Sequence, residues 1–154
     1  MNNITEQLLQ MISGFGSSLT GAYNIRENGS CAQRHSTEHV KLTDKTDGPG
    51  LIIRVDPGTK GEIINIPACV THGDVDDLVY NDFYIGEGAD VTIVAGCGVH
   101  NDEEGEARHN GIHRFFLAKG SHVLYQEKHI ATGTGSGAKR ISRIVAMSFC
   151  EPRS

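Results

Sequence analysis

Two stretches, Val79–Asp102 (VYNDFYIGEGADVTIVAGCGVHND) and His109–His129 (HNGIHRFFLAKGSHVLYQEKH), carry one pattern twice. Phe83-x-Ile85-x-x-Gly88-x-x-Val91-x-Ile93 returns 32 residues later as Phe115-x-Leu117-x-x-Gly120-x-x-Val123-x-Tyr125. In each copy, apolar residues at every second position flank a glycine turn, the pattern of strands that bury one face. Recurrence at this fixed spacing predicts stacked β units that share one core, a solenoid. Ile53-x-Val55-x-Pro57-Gly58, placed 30 residues before Phe83-x-Ile85-x-x-Gly88, is a weaker third copy. A parallel β-helix with a coil of about 30 residues fits these spacings better than a meander, although antiparallel sandwiches also set strands at short regular intervals.

Working outward, short strand patterns run through the chain from Tyr23: Val40–Leu42, Leu51–Val55, Ile63–Ile66, Val79–Tyr80, Phe83–Ile85, Val91–Val94, Phe115–Leu117 and Val123–Gln126. Turn residues separate them at Asp47-Gly48-Pro49-Gly50, Pro57-Gly58, Gly86-Glu87-Gly88 and Lys119-Gly120. The exception is the N-terminus. Ile4, Leu8, Leu9, Ile12 and Phe15 recur at helical spacing, with Gly14 and Gly16 near the end, which predicts a short amphipathic helix. Its apolar stripe needs a partner, either the first coil of the β domain or a second subunit. The expected class is all-β with this one helix, divided into residues 1–20, a β domain over 21–141 and a tail over 142–154.

At 154 residues, 38% apolar and 21% charged, the chain is expected to form one domain with a real core. A net charge of −5 with singly scattered basic residues argues against nucleic acid. MNNITEQLLQMIS has no basic start and no continuous apolar run, and no segment reaches the roughly 20 apolar residues that span a bilayer, so a cytoplasmic protein without membrane contact is expected. Cys31, Cys69, Cys97 and Cys150 form no CxxC or CxxH pair and are expected to be free thiols. Thr132–Gly137 reads as a flexible loop; Lys139 lies at the wrong spacing for a phosphate-binding loop.

Candidate chemistry concentrates in Gly96-Cys97-Gly98-Val99-His100-Asn101-Asp102 and in His109 and His113. A cysteine between glycines can be approached closely by another backbone or a donor protein, and neighbouring imidazoles favour the nucleophilic, metal-binding thiolate. Composition alone favours the plainer reading, in which Cys97 is a small buried residue at a strand end and the glycines make the turn. His109 and His113 invite a metal reading, but the region reads as a loop entering a strand. On a strand they would share a face about 13 Å apart, too far for one ion. Glu127 and His129 share a face at a strand end and are expected to be solvated.

Taken together, GAYNIRENG (Gly21–Gly29), PGTKGEIINIP (Pro57–Pro67), the two quoted stretches and GTGSGAKRI (Gly133–Ile141) resemble the SufB/SufD family of iron-sulfur cluster assembly proteins, closest to its short homologues. The resemblance implies a right-handed parallel β-helix, a complex with a SufC-like ABC ATPase and a SufB/SufD-type subunit, and a non-enzymatic scaffold on which a transient iron-sulfur cluster is built. By the same matching Cys97, with His100 beside it, falls where the family carries a sulfur-accepting cysteine. The resemblance stops at Ile141. The family's later coils, ATPase-contacting helix and late cluster-holding cysteine and histidine have no counterpart in Ser142–Ser154, and Cys150 inherits no role.

An open last coil would expose strand edges and core, so a homodimer or a self-capped monomer is expected, with Ile144, Val145, Met147 and Phe149 as the cover. Two rivals stand beside the scaffold. One is a protein-interaction module that handles neither iron nor sulfur. The other is a cupin-like metal enzyme, disfavoured because the chain has no His-x-His pair.

Overall fold

The computed structural model describes residues 1–13, 19–134 and 138–151. Phe15, Gly14 and Gly16 of the expected helix end, and residues 135–137 of the glycine-rich loop, lie outside the described residues. Helix α1 (Asn3–Ser13) precedes ten strands: β1 (Ala22–Glu27), β2 (Ser30–His35), β3 (Val40–Asp44), β4 (Leu51–Val55), β5 (Lys60–Val70), β6 (Asp76–Ile85), β7 (Asp90–His100), β8 (Gly105–Leu117), β9 (His122–Thr132) and β10 (Ala138–Cys150). The protein is mostly β, with two five-stranded mixed sheets and no closed barrel.

The sheets have the orders β2-β1-β5-β7-β9 and β10-β8-β6-β4-β3. From β4 onward each strand crosses to the other sheet and pairs in parallel with the strand two places earlier or later. Among the described residues only the hairpins β1–β2 and β3–β4 are antiparallel. The 32-residue spacing of the sequence is the register of this pairing: Phe83 lies opposite Phe115, Ile85 opposite Leu117, Val91 opposite Val123 and Ile93 opposite Tyr125. The weaker copy is also in register, with Ile53 opposite Phe83 and Val55 opposite Ile85.

Because side chains alternate across a strand, every second residue points between the sheets and builds one core. Ile53, Phe83 and Phe115 form a ladder in which the two rings stack at 4.7 Å. Ile64, Ile93 and Tyr125 face them. Burying a side chain such as Phe83 contributes about 2–3 kcal/mol. The glycines of the repeat sit at the return turns: Gly88 and Gly120 have φ of 68° and 70°, which favours glycine, and the Gly88 amide donates to the Lys119 carbonyl of the turn below.

Three features differ from the expectation. Residues 109–113 are the middle of β8, which starts at Gly105, because Ala107, His109, Gly111 and His113 alternate inward where a loop entering a strand was expected. Gly96 and Gly98 make no turn and lie inside β7, which continues to His100. Residues 138–150 form one strand that pairs with β8 throughout and crosses Ile141 without a break.

Candidate functional site

Cys97 points inward from β7, while Gly96 and Gly98 face outward under α1. A β-carbon on Gly98 would stand 2.9 Å from the Leu8 β-carbon, and one on Gly96 would stand 3.1 Å from Ile12 Cδ1. The close approach that these glycines allow is therefore made by the protein's own helix. Leu8, Leu9 and Ile12 bury their stripe there, together with Ile25 and Cys69. The helix is held at its start by the Asn2 side chain, which accepts from the Thr5 amide at 2.8 Å.

On the inner side, parallel register aligns Arg26, Ala68, Cys97 and His129 across one sheet. The other sheet brings Asp77, His109 and Ser142 into line opposite them. Arg26 donates to both Asp77 oxygens, and His109 Nδ1 lies 2.9 Å from Asp77 Oδ2. Burial alone would raise the Asp77 carboxyl, but hydrogen bonds from His109 and Arg26 outweigh it and hold Asp77 below the usual carboxylate range.

Cys97 itself is fully buried, beside Val70, Val99 and Ala107. Burial pushes its thiol up to about 12; the Ser142 hydroxyl opposes this, and the Asp77 and Glu127 charges add to it. Ser142 links the thiol to a surface route. Its Oγ is 2.5 Å from His129 Nδ1, and His129 Nε2 is 3.1 Å from Glu127 Oε2. His129 is about one-third exposed at the edge strand β9, so the chain Cys97, Ser142, His129, Glu127 leads from a sealed thiol to solvent. Glu127 and His129 do share a face, but they are bonded to each other.

The other candidates separate. His100 is three residues from Cys97, hence on the opposite face of β7, and bonds Thr132 Oγ1 at 2.7 Å and Asp102 Oδ2 at 2.8 Å. The structure does not bring it to the thiol. His109 and His113 share the inner face of β8. Among the described residues His113 Nδ1 has no hydrogen-bond partner; His113 lines a cavity of about 30 Å³ with Asn24, Asn81 and His109, room for one or two waters. Burial pushes the His113 imidazole down to about 4. Among the described residues no three His, Cys, Asp or Glu side chains are grouped to share a metal ion. Cys31 and Cys150 are exposed and Cys69 is buried, all as free thiols. Sequence reasoning missed Arg26, Asp77 and Ser142. The repeat spacing held the signal, since Asp77 and Ser142 lie one repeat before and one repeat after His109.

No helix among the described residues is long and apolar enough to cross a membrane. No protein family, curated protein or solved structure matches the chain.

Proposed function

We propose that this chain is a stack of parallel β-helix coils of the SufB/SufD type that serves as a cytoplasmic, non-enzymatic scaffold in iron-sulfur cluster assembly. The observation that supports the reading best is the coincidence of the motif repeat with the parallel strand register, which sets Cys97 inside the coil with a hydrogen-bonded outlet through Ser142 and His129. In this reading a donor persulfide reaches Cys97 from the side of Ser142 and His129. The Cys97 sulfur attacks the outer sulfur of the donor, the donor S–S bond breaks, and the donor leaves as a thiol with the proton that Cys97 gives up. Ser142 and His129 carry that proton. Iron and sulfide are cargo, and the partners are a SufC-like ATPase and a SufB/SufD-type subunit. The unpaired outer edges of β9 and β10 suit edge-to-edge pairing with a second copy.

Anaerobic reconstitution of the purified protein with ferrous iron and sulfide tests the reading. A visible chromophore and bound iron that disappear in Cys97→Ala are expected. A wild type that binds neither would remove the scaffold role. The burial of Cys97 and the upward push on its thiol favour a second reading, an interaction module that handles neither iron nor sulfur. Equal iron and sulfide uptake in wild type and Cys97→Ala would count for it.

A further inference from the structure

The outer face of the second sheet has no counterpart to α1. Register places Tyr80, Ile112 and Val145 side by side across β6, β8 and β10, and Tyr84, Phe116 and Phe149 two rows further on. Val145 and Phe149 are more than half exposed; Leu78, Tyr80 and Met147 are at least a third exposed. Six residues of strand separate the rows of Leu78 and Tyr84, so this apolar strip is about 20 Å long. Grooves of about 490 and 630 Å³ flank it, one lined by Tyr80, Ile112 and Met147, the other by Tyr84, Phe116 and Phe149.

The charge around the strip runs against that of the chain. The outward positions of this sheet carry six cations, Lys41, Arg54, Arg108, Arg114, Lys139 and Arg143, against three carboxylates, Asp76, Asp82 and Glu106. The face is net positive by three on a chain of net charge −5. Arg54 lies over the Tyr84 ring at 4.6 Å. It has no carboxylate partner among the described residues, and neither has Arg143.

We propose that this face docks an amphipathic helical segment of a partner protein, apolar on one stripe and flanked by acidic residues. A helix of about 14 residues matches the strip in length. A second copy fits poorly, because an isologous contact would set two positive faces against each other. Single-stranded nucleic acid fits poorly too. Its bases stack on open ring faces, whereas the rings of Tyr84, Phe116 and Phe149 already stack on one another at 4.8 and 5.3 Å and Arg54 lies over Tyr84.

Fluorescence anisotropy tests this with three labelled probes: a helical peptide with a leucine stripe flanked by Glu, its Lys-flanked counterpart, and oligouridylate. The expected result is that the Glu-flanked peptide binds, that added salt weakens it, and that the Lys-flanked peptide binds at least about tenfold more weakly. Tyr80→Glu and Arg54→Glu are each expected to weaken binding about tenfold, with melting curves unchanged; Arg54→Glu keeps the apolar strip should Tyr80→Glu not fold. Absence of binding by the Glu-flanked peptide would overturn the proposal, as would equal binding of the two peptides or indifference to both substitutions. Tighter binding of oligouridylate would assign the face to nucleic acid instead. A dimer in sedimentation velocity that Tyr80→Glu dissolves would assign it to a second copy.

Discussion

The two sheets are built by the same repeat but treat their outer faces in opposite ways. On the first, Gly96 and Gly98 clear a seat and α1 fills it with Leu8 and Ile12, which are almost wholly buried. On the second, Tyr80, Phe116, Val145 and Phe149 stand in the equivalent outward positions; among the described residues no helix covers them, and Arg54 and Arg143, which have no carboxylate partner there, border them. The lesson concerns the glycines. In a strand, a glycine pair marks the side that receives another element closely, whereas bulky outward residues mark the side left available.

Breaking the covered face has the largest expected effect. Leu8→Ala removes a fully buried side chain beneath α1 and is expected to cost about 3 kcal/mol, read as a lower midpoint in urea unfolding. A loss below about 1 kcal/mol would mean that α1 is a loosely held appendage. Acid acts on the interior between the faces. His113 is neutral when folded because burial holds its pKa near 4, while the unfolded imidazole takes a proton at about 6.5. Its contribution is therefore complete above pH 6.5 and is lost as pH falls from about 6.5 to about 4, a decrease of at most about 3 kcal/mol. His113→Phe is expected to flatten that part of the stability profile.

Gly98→Ala sharpens the comparison further. The new β-carbon meets Leu8 Cβ at 2.9 Å and Leu8 Cδ2 and Cδ1 at 3.1 and 3.2 Å, so a loss of about 2 kcal/mol is expected; Leu8→Ala removes the two δ-carbon contacts, and the double variant is expected to lose less than the two losses added. The smallest effect belongs to the open face. Tyr80→Glu is expected to shift stability by no more than about 0.5 kcal/mol, because the side chain stands on the outer face and takes no part in the core between the sheets. A larger loss would mean that the open face is part of the packed structure.

Much of this arrangement was legible in the chain. The offset between Phe83 and Phe115 is the strand register, and the stripe of Leu8, Leu9 and Ile12 is the helix that docks. The glycines around Cys97 were legible as a place of close approach, but local sequence carries no information on what approaches, and the helix that does so lies some 90 residues earlier. The inner polar line was read least well. Arg26, Asp77 and Ser142 look like ordinary surface residues one at a time and come together only through the parallel register of the two sheets. His100 shows the reverse error: near Cys97 in sequence, it is turned to the other face by strand alternation.

With α1 over the outer side of β7, the hydrogen-bonded route from Cys97 toward solvent among the described residues runs through Ser142 and His129, and the scaffold reading stands on whether sulfur reaches the thiol there. The direct measurement treats the native protein anaerobically with a small-molecule persulfide and locates the added sulfur by mass spectrometry, in wild type and in Ser142→Ala. The account expects Cys97 to carry sulfane sulfur in the wild type, more slowly in Ser142→Ala. Sulfur found on exposed Cys31 and Cys150 but never on Cys97 would contradict it.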